Sequence, residues 1–467
     1  MAVWSIVPLS AAQEAQRFDS DYWHPNSLAN EARLAKLDCT TIGEESAFVR
    51  CGPFGSNLLC ENYVPNGVLV LRPFNIKRLT VERENLAYVP EEVCTASRLG
   101  YYQEGDIMFA RVGDVRAGVL PDFPTKVTIS PNVIAARLKP GGLNPYYVAA
   151  FLNTAAGMDQ LVRGMKTVAQ PTITVDLVHT VKVPRLTGDF QESIAALVKA
   201  SFAQEDESRA LLTAADAMLN EALGLADLDL TAHLFYEARF ADASAAARMD
   251  AEYFQPAKRE VLAALTRMPG GHIGAQFRSV RQLWQPDRAG PGEGVRNYDL
   301  TDALSPFLDD TVGPTTADQI GSTKKALTPG DLVISRLRSY LEEIAVVLPG
   351  GDTPLVGSSE FIVLRPNRKA LPVEALLVYL RSPYVQTILK WCQDGSNHPR
   401  FDEKELLAIP IPDKITKIQD QLAAKVKDSI AARRESRRLL DTAKRAVEMA
   451  IEENEAAALR FLKEARG

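Results

Sequence analysis

The 467-residue chain lacks the marks of most catalytic classes. It has no Gly-Lys dipeptide, so it encodes no phosphate-cradling loop and no motor built on one. It has no Glu-x-Lys either, so the Pro-Asp pairs at 121–122, 286–287 and 412–413 lack the second half of the common nuclease signature. Asp402-x-Lys404 is the nearest approach. No Gly-x-Ser-x-Gly elbow is present. The histidines (His24, His179, His233, His272, His398) are scattered, without metal-ligand spacing. Cys39, Cys51, Cys60, Cys94 and Cys392 form no Cys-x-x-Cys pair, and their odd number reads as reduced thiols of a cytosolic protein. No run of eighteen apolar residues spans a membrane, and the opening MAVWSIVPLSAAQEAQ has neither basic leader nor clear cleavage site. A basic excess is also missing: 53 Lys and Arg face 59 Asp and Glu, for a net charge of -6. That weighs against nucleic acid as a partner, although DNA responds to local patches rather than to the chain average.

What the chain does contain is itself twice. Arg17-Phe18-Asp19-Ser20-Asp21-Tyr22-Trp23-His24-Pro25 returns as Arg248-Met249-Asp250-Ala251-Glu252-Tyr253-Phe254-Gln255-Pro256. Gly105-Asp106 leads an apolar strand to Arg111, as Gly330-Asp331 leads one to Arg336. Leu138-Lys139-Pro140 is matched with Leu364-Arg365-Pro366. Beyond that point Pro171 and Pro399, Pro184 and Pro412, and Gln191 and Gln419 each stand 228 positions apart. The spacing is far larger than a solenoid repeat, so one whole domain is duplicated.

Each copy begins with a mixed part, residues 1–186 and 230–413. Its apolar runs at 67–71, 106–110, 331–335 and 360–364 read as buried strands. Asn144-Pro145 and Ser382-Pro383 read as helix starts, for helices running to Gly164 and Cys392. Each copy ends in a proline-free stretch, 189–223 and 415–459. There Ile194, Val198, Leu212, Ala215 and Leu219, and Ile418, Leu422, Val426, Ile430, Leu440, Ala443 and Val447, recur mostly at three- or four-residue steps. A helix of ~50 Å needs a partner of similar length. Two tandem copies packed about a pseudo-twofold axis supply one, with the two helices antiparallel.

These features resemble the DNA specificity subunit of type I restriction–modification systems. The resemblance is carried by Gly52-Pro53-Phe54-Gly55-Ser56, the R-x-D-x-[DE]-Y element, the Gly-Asp-apolar-Arg strand, and the exits Val181-Lys182-Val183-Pro184 and Ile409-Pro410-Ile411-Pro412. The second copy has no Gly-Pro-Phe-Gly-Ser counterpart and carries a Gly/Pro-rich stretch at 285–294 instead.

The resemblance implies an α+β chain of two tandem, pseudo-twofold-related target recognition domains joined by a long antiparallel two-helix coiled coil. Its parts are recognition domain 1 at 1–186, spacer helix 1 and linker at 187–229, recognition domain 2 at 230–413, and spacer helix 2 at 414–467. It further implies a non-catalytic, cytoplasmic subunit that reads a bipartite site in double-stranded DNA. Separate adenine methyltransferase subunits would use S-adenosylmethionine. Restriction and translocation subunits would bring the ATP and Mg. No cofactor or metal is expected on this chain, and no membrane partner. A subunit of the same architecture in a modification-only or other defence system, and a non-catalytic protein–protein scaffold, are the rival readings. Asn144-Pro145-Tyr146-Tyr147 resembles the Asn-Pro-Pro-Tyr of adenine methyltransferases, but the second proline and a cofactor-binding strand–turn–helix are missing, and it reads as a helix start.

Bases are read through Arg and Lys on guanine and Asn and Gln on adenine, from polar, basic loops between strands. In the first copy the candidates are Ser56, Asn57, Arg72, Lys77, Arg78, Arg111, Arg116, Lys166 and Gln170. In the second they are Lys324, Lys325, Arg336, Arg338, Asn397, His398 and Arg400. Lys166–Gln170 and Ser396–Arg400 occupy matching repeat positions. Bracing the sheet against the long helix is the competing role for both loops. The run Arg433-Arg434-Glu435-Ser436-Arg437-Arg438 reads either as a solvated helix face or as a contact to phosphate or partner, with Glu205-Asp206-Glu207 at a nearby level of the other helix.

Overall fold

The computed structural model describes residues 3–53, 58, 60–83, 85–165, 171–290, 292–309, 311–349 and 351–465. The chain divides into two compact units. The first comprises Met1–Glu205 with Arg434–Gly467, and the second Asp206–Arg433. Each unit therefore holds one mixed module, part of its own long helix and part of the other copy's.

In the first unit four antiparallel strands run in the order Ser46–Cys51, Val133–Leu138, Ile107–Ala110, Ala117–Val119. Beside them a three-stranded sheet pairs Val68–Leu71 antiparallel with Ala87–Val89 and parallel with Val127–Ile129. The second unit repeats the first order as Phe277–Val280, Phe361–Pro366, Leu332–Ser335, Ile344–Val347, and adds Phe307–Leu308 at the edge. The parallel pair recurs between Gly294–Tyr298 and Leu355–Gly357. The central strands are buried along all four residues in both units, which is why they read as unbroken apolar runs.

A Gly-Asp turn feeds each central strand. Gly105 and Gly330 sit at φ 87° and 88°, a region that penalises a Cβ. The following Asp106 and Asp331 are buried, and each takes a two-pronged grip from an arginine, Arg137 and Arg365. This pairing corrects one step of the repeat. Arg365 answers Arg137, not Lys139, so the 228-residue register already holds through the strands Val133–Leu138 and Phe361–Pro366.

The R-x-D-x-[DE]-Y element is a helix-end clamp. Arg17 is held by Asp19, lies 4.5 Å from the centre of the Tyr22 ring, and donates to the carbonyls of Arg163 and Met165. Arg248 does the same with Asp250, Tyr253 (4.5 Å) and the carbonyls of Cys392 and Gln393. Carbonyls left over at the end of a helix are thereby satisfied.

Two expected helices are divided. The run opened by Asn144 stops at Leu152, and Thr154 caps a second helix, Ala155–Gly164. Ser382 caps the equivalent helix, Pro383–Cys392, which follows Val373–Arg381. The second long stretch is likewise broken. Asp413–Glu452 ends before Asn454, whose side chain accepts from the Ala457 amide and starts Glu455–Glu464. The first long helix, Gly188–Leu223, is continuous. At ~1.5 Å per residue the long helices, of 36 and 40 residues, measure ~54 and ~60 Å.

Their apolar stripes meet within each unit. Phe190, Ile194 and Val198 share a core with Ala443, Ala446, Val447 and Leu462 in the first. In the second, Ala215, Leu219 and Leu223 share one with Leu422, Val426 and Ile430. There the helices run antiparallel, with Ser208 against Ser429 at one level and the Lys414 ammonium on the Leu223 carbonyl at the other. In the charged runs beyond the serine pair, Arg438 pairs with Glu435 on its own helix, and Asp206 with Arg209.

Candidate nucleic-acid interface

The strand Leu332–Ser335 ends at a turn where five of the seven second-copy candidates converge. Arg336 donates to Glu360 at 2.9 Å, and Arg400 grips the same carboxylate with contacts of 2.8 to 3.2 Å. The two guanidiniums hold the Glu360 carboxyl down at about 2, Arg400 contributing most, against the upward push of burial. Arg338 reaches the Asn397 carbonyl (3.2 Å) and the His398 Nδ1 (3.3 Å). Its backbone is left-handed (φ 50°), pinned by its own amide on the Pro399 carbonyl, and Glu342 after the turn is left-handed too (φ 54°). Left-handed non-glycine residues cost of order 1–3 kcal/mol each and gather at functional sites. Tyr340, between them, is exposed. Three guanidiniums, one carboxylate, an imidazole, a carboxamide and a phenol thus share one surface turn. That set offers forks for guanine or phosphate and a flat ring for a sugar or base.

Lys324 and Lys325 lie elsewhere, on the second sheet, opposite Trp284 and Leu283. Lys324 stands 3.8 Å from Asp299, and both line a polar cleft of about 460 Å³ with Asn297, Thr315, Gln319 and Ser322. The Asn297 Oδ1 is buried there without a hydrogen-bond donor among the described residues.

In the first unit, Arg111 and Arg116 flank the turn at Gly113 (φ 82°), with the Ala110 amide on the Arg116 carbonyl. The Arg116 Nε is buried and has no acceptor among the described residues. Arg72 and Lys77 share the Phe74 ring at 5.0 and 5.5 Å, Lys77 also pairs with Glu82 at 3.1 Å, and Arg78 is exposed. Ser56, Asn57, Lys166 and Gln170 lie outside the described residues.

The two turns occupy one scaffold position. The Arg111 amide donates to the Asn132 carbonyl and the Arg336 amide to that of Glu360. The Ile173 amide donates to Arg111, and that of Phe401 to Arg336. Val112 bridges Thr172 as Leu337 bridges Arg400. By this frame Arg338 answers Gly113, Glu360 answers Asn132, and Arg400 answers Thr172. Inspection of the sequence alone passes over Glu360 and Asn132, because each stands just before a buried strand. The constant 228-residue step between them is the signal that finds them.

Neither protein-family models nor curated proteins give a match to this chain. Among solved structures, similarity extends to specificity subunits of type I restriction–modification systems. The S subunit from M. genitalium is 14% identical, with 92% of this chain and 96% of that one covered and a TM-score of 0.36. The HsdS subunit from Thermoanaerobacter tengcongensis is 15% identical, covering 88% and 96%, with a TM-score of 0.29. A chain from a study of complex assembly and conformational transition in the type I R-M system is 16% identical, covering 87% and 97%, with a TM-score of 0.28. Among the described residues, no helix is long and apolar enough to cross a membrane.

Proposed function

We propose that the chain is the DNA specificity subunit of a type I restriction–modification complex, a cytoplasmic reader of a two-part site without a catalytic centre of its own. One observation carries the reading. The duplicated module keeps its internal frame, down to the Asp106–Arg137 and Asp331–Arg365 grips, while the side chains at the equivalent surface turn change from Gly113, Asn132 and Thr172 to Arg338, Glu360 and Arg400. A constant frame with altered contact groups is what two half-sites of different sequence require. Basic and amide side chains on strand-connecting turns suit base edges and phosphates.

The paired helices, in this reading, set the gap between the half-sites. Adenine methylation with S-adenosylmethionine belongs to separate subunits, and cleavage with ATP and Mg to restriction subunits. The test is a methylation map of the host genome with and without this gene. Loss of a single split motif, adenine-methylated on both strands, is the expected result. An unchanged map would overturn the assignment.

A further inference from the structure

The two units share a second equivalent turn, and there the charge inverts. In the first unit the strand Val68–Leu71 runs parallel to Val127–Ile129, with Leu71 opposite Ile129. In the second, Gly294–Tyr298 runs parallel to Leu355–Gly357, with Tyr298 opposite Gly357. The next residue is Arg72 in one and Asp299 in the other. The backbone bonds agree with the match. The Ser130 amide donates to the Leu71 carbonyl, and the Ser358 amide to that of Tyr298. The amides of Asn75 and Asp302 donate to the carbonyls of Arg72 and Asp299. In return the Asn75 and Asp302 side chains accept the Arg72 and Asp299 amides, at 3.0 and 2.7 Å. One capping turn thus carries a guanidinium in the first copy and a carboxylate in the second.

The surroundings follow the charge. The Arg72 guanidinium lies 5.0 Å from the centre of the exposed Phe74 ring and is tethered to the Asn85 carbonyl at 2.8 Å. Stacked and tethered, it is a preorganised donor fork. Asp299 is exposed on the rim of the polar cleft, and the Lys324 ammonium stands 3.8 Å away, beyond a hydrogen bond. The carboxylate oxygens therefore remain open as acceptors. By the same pairing, Asn297 in this cleft stands where the first strand has the buried Val70. Both capping turns adjoin the surface turns described above. The Leu79 amide donates to the carbonyl of Ala117, next to Arg116. Arg381 donates to the carbonyls of Leu304 (3.1 Å) and Ile344 (2.8 Å), and so ties the second capping turn to the strand that follows the Arg338 turn.

Guanine offers two acceptors in the major groove, which a guanidinium fork matches, whereas adenine and cytosine offer an amine, which a carboxylate accepts. A carboxylate also repels phosphate, so Asp299 gains nothing from DNA contact that ignores sequence.

We propose that Arg72 and Asp299 are specificity-determining residues of opposite hydrogen-bond polarity, Arg72 reading a guanine in one half-site and Asp299 the amine of an adenine or cytosine in the other. The assignment rests on the function proposed above. The test is a set of methylation maps from host cells carrying the wild-type chain or one of three variants. Arg72→Ala makes one guanine position of one half-site degenerate. Asp299→Ala does the same to one adenine or cytosine position of the other half, and Asp299→Arg converts that position to guanine. Arg72→Gln and Asp299→Asn, which keep the side-chain size, change the same single positions should an alanine variant unfold early. On duplexes with the mapped motif, replacing that one base pair weakens binding of the wild-type chain about tenfold or more and leaves binding of the matching alanine variant unchanged. Variants that unfold at the wild-type temperature yet keep the wild-type motif at every position, or lose methylation evenly at all sites, would overturn the assignment and leave the function standing. A wild-type map with no split motif would overturn both.

Discussion

Arg137 grips Asp106 with two parallel hydrogen bonds, Nε to Oδ1 at 2.7 Å and Nη2 to Oδ2 at 2.6 Å. Arg365 and Asp331 repeat the geometry at 2.6 and 2.7 Å. Both carboxylates are almost fully buried, and each also accepts a backbone amide, from Gln103 and Thr328. Removing one partner of such a pair leaves an uncompensated charge. Asp106→Ala and Asp331→Ala should each cost about 2–3 kcal/mol, less than a fully buried pair because the arginines keep some exposure. Denaturant unfolding of each variant measures it, and equal losses in the two are expected.

Arg17→Ala and Arg248→Ala should each cost about 1–2 kcal/mol by freeing the helix-end carbonyls. Lysine should not restore the loss, since a single ammonium cannot fork to Asp19 or Asp250 and reach the carbonyls as well. Thermal unfolding of the alanine and lysine variants side by side tests this.

Ser208 and Ser429 share a buried hydrogen bond of 2.9 Å where the two long helices pass in the second unit. Either serine changed to alanine strands a hydroxyl, at about 1 kcal/mol. The double alanine variant should return close to wild-type stability, and a double-mutant cycle reads the difference. Simple additivity would show that the hydroxyls do not depend on each other.

Glu360 has a folded-state value of about 2 against an ordinary value of 4.5. Its contribution to stability is therefore complete above pH ~4.5 and is lost as pH falls through about 2. Glu360→Gln should flatten that acid limb in unfolding curves between pH 2 and 5. The same variant releases Arg336 and Arg400 from their counter-charge. Duplex binding should then become tighter, less selective in one half-site, and steeper in its salt dependence, as added phosphate contacts require.

Much of this was legible in the residues. Pro171 and Pro399 reveal the register because a proline stands just before the bridged residue, Thr172 or Arg400, in each copy, and the buried strands announce themselves as apolar runs bounded by Gly-Asp and Pro. What stayed hidden depends on contacts distant in sequence. The Gly-Asp motif leads along its strand to Arg111 and Arg336 at the far end, whereas the carboxylate is satisfied by Arg137 and Arg365 from the neighbouring strand. Asn454 stands in an alanine-rich stretch with no proline or glycine to announce a break, and its extended backbone and its bond to the Ala457 amide mark a new helix. Glu360 joins the candidate turn because Arg336 and Arg400 meet on it, which no local pattern encodes.

If each module reads its own half of the site, the halves can be exchanged one at a time. The direct measurement is a methylation map of cells in which residues 1–186 of this chain are replaced by the matching module of a subunit with a different target. One half of the split motif should change while the other half and the gap stay as they were. A change in both halves, or in neither, would contradict it.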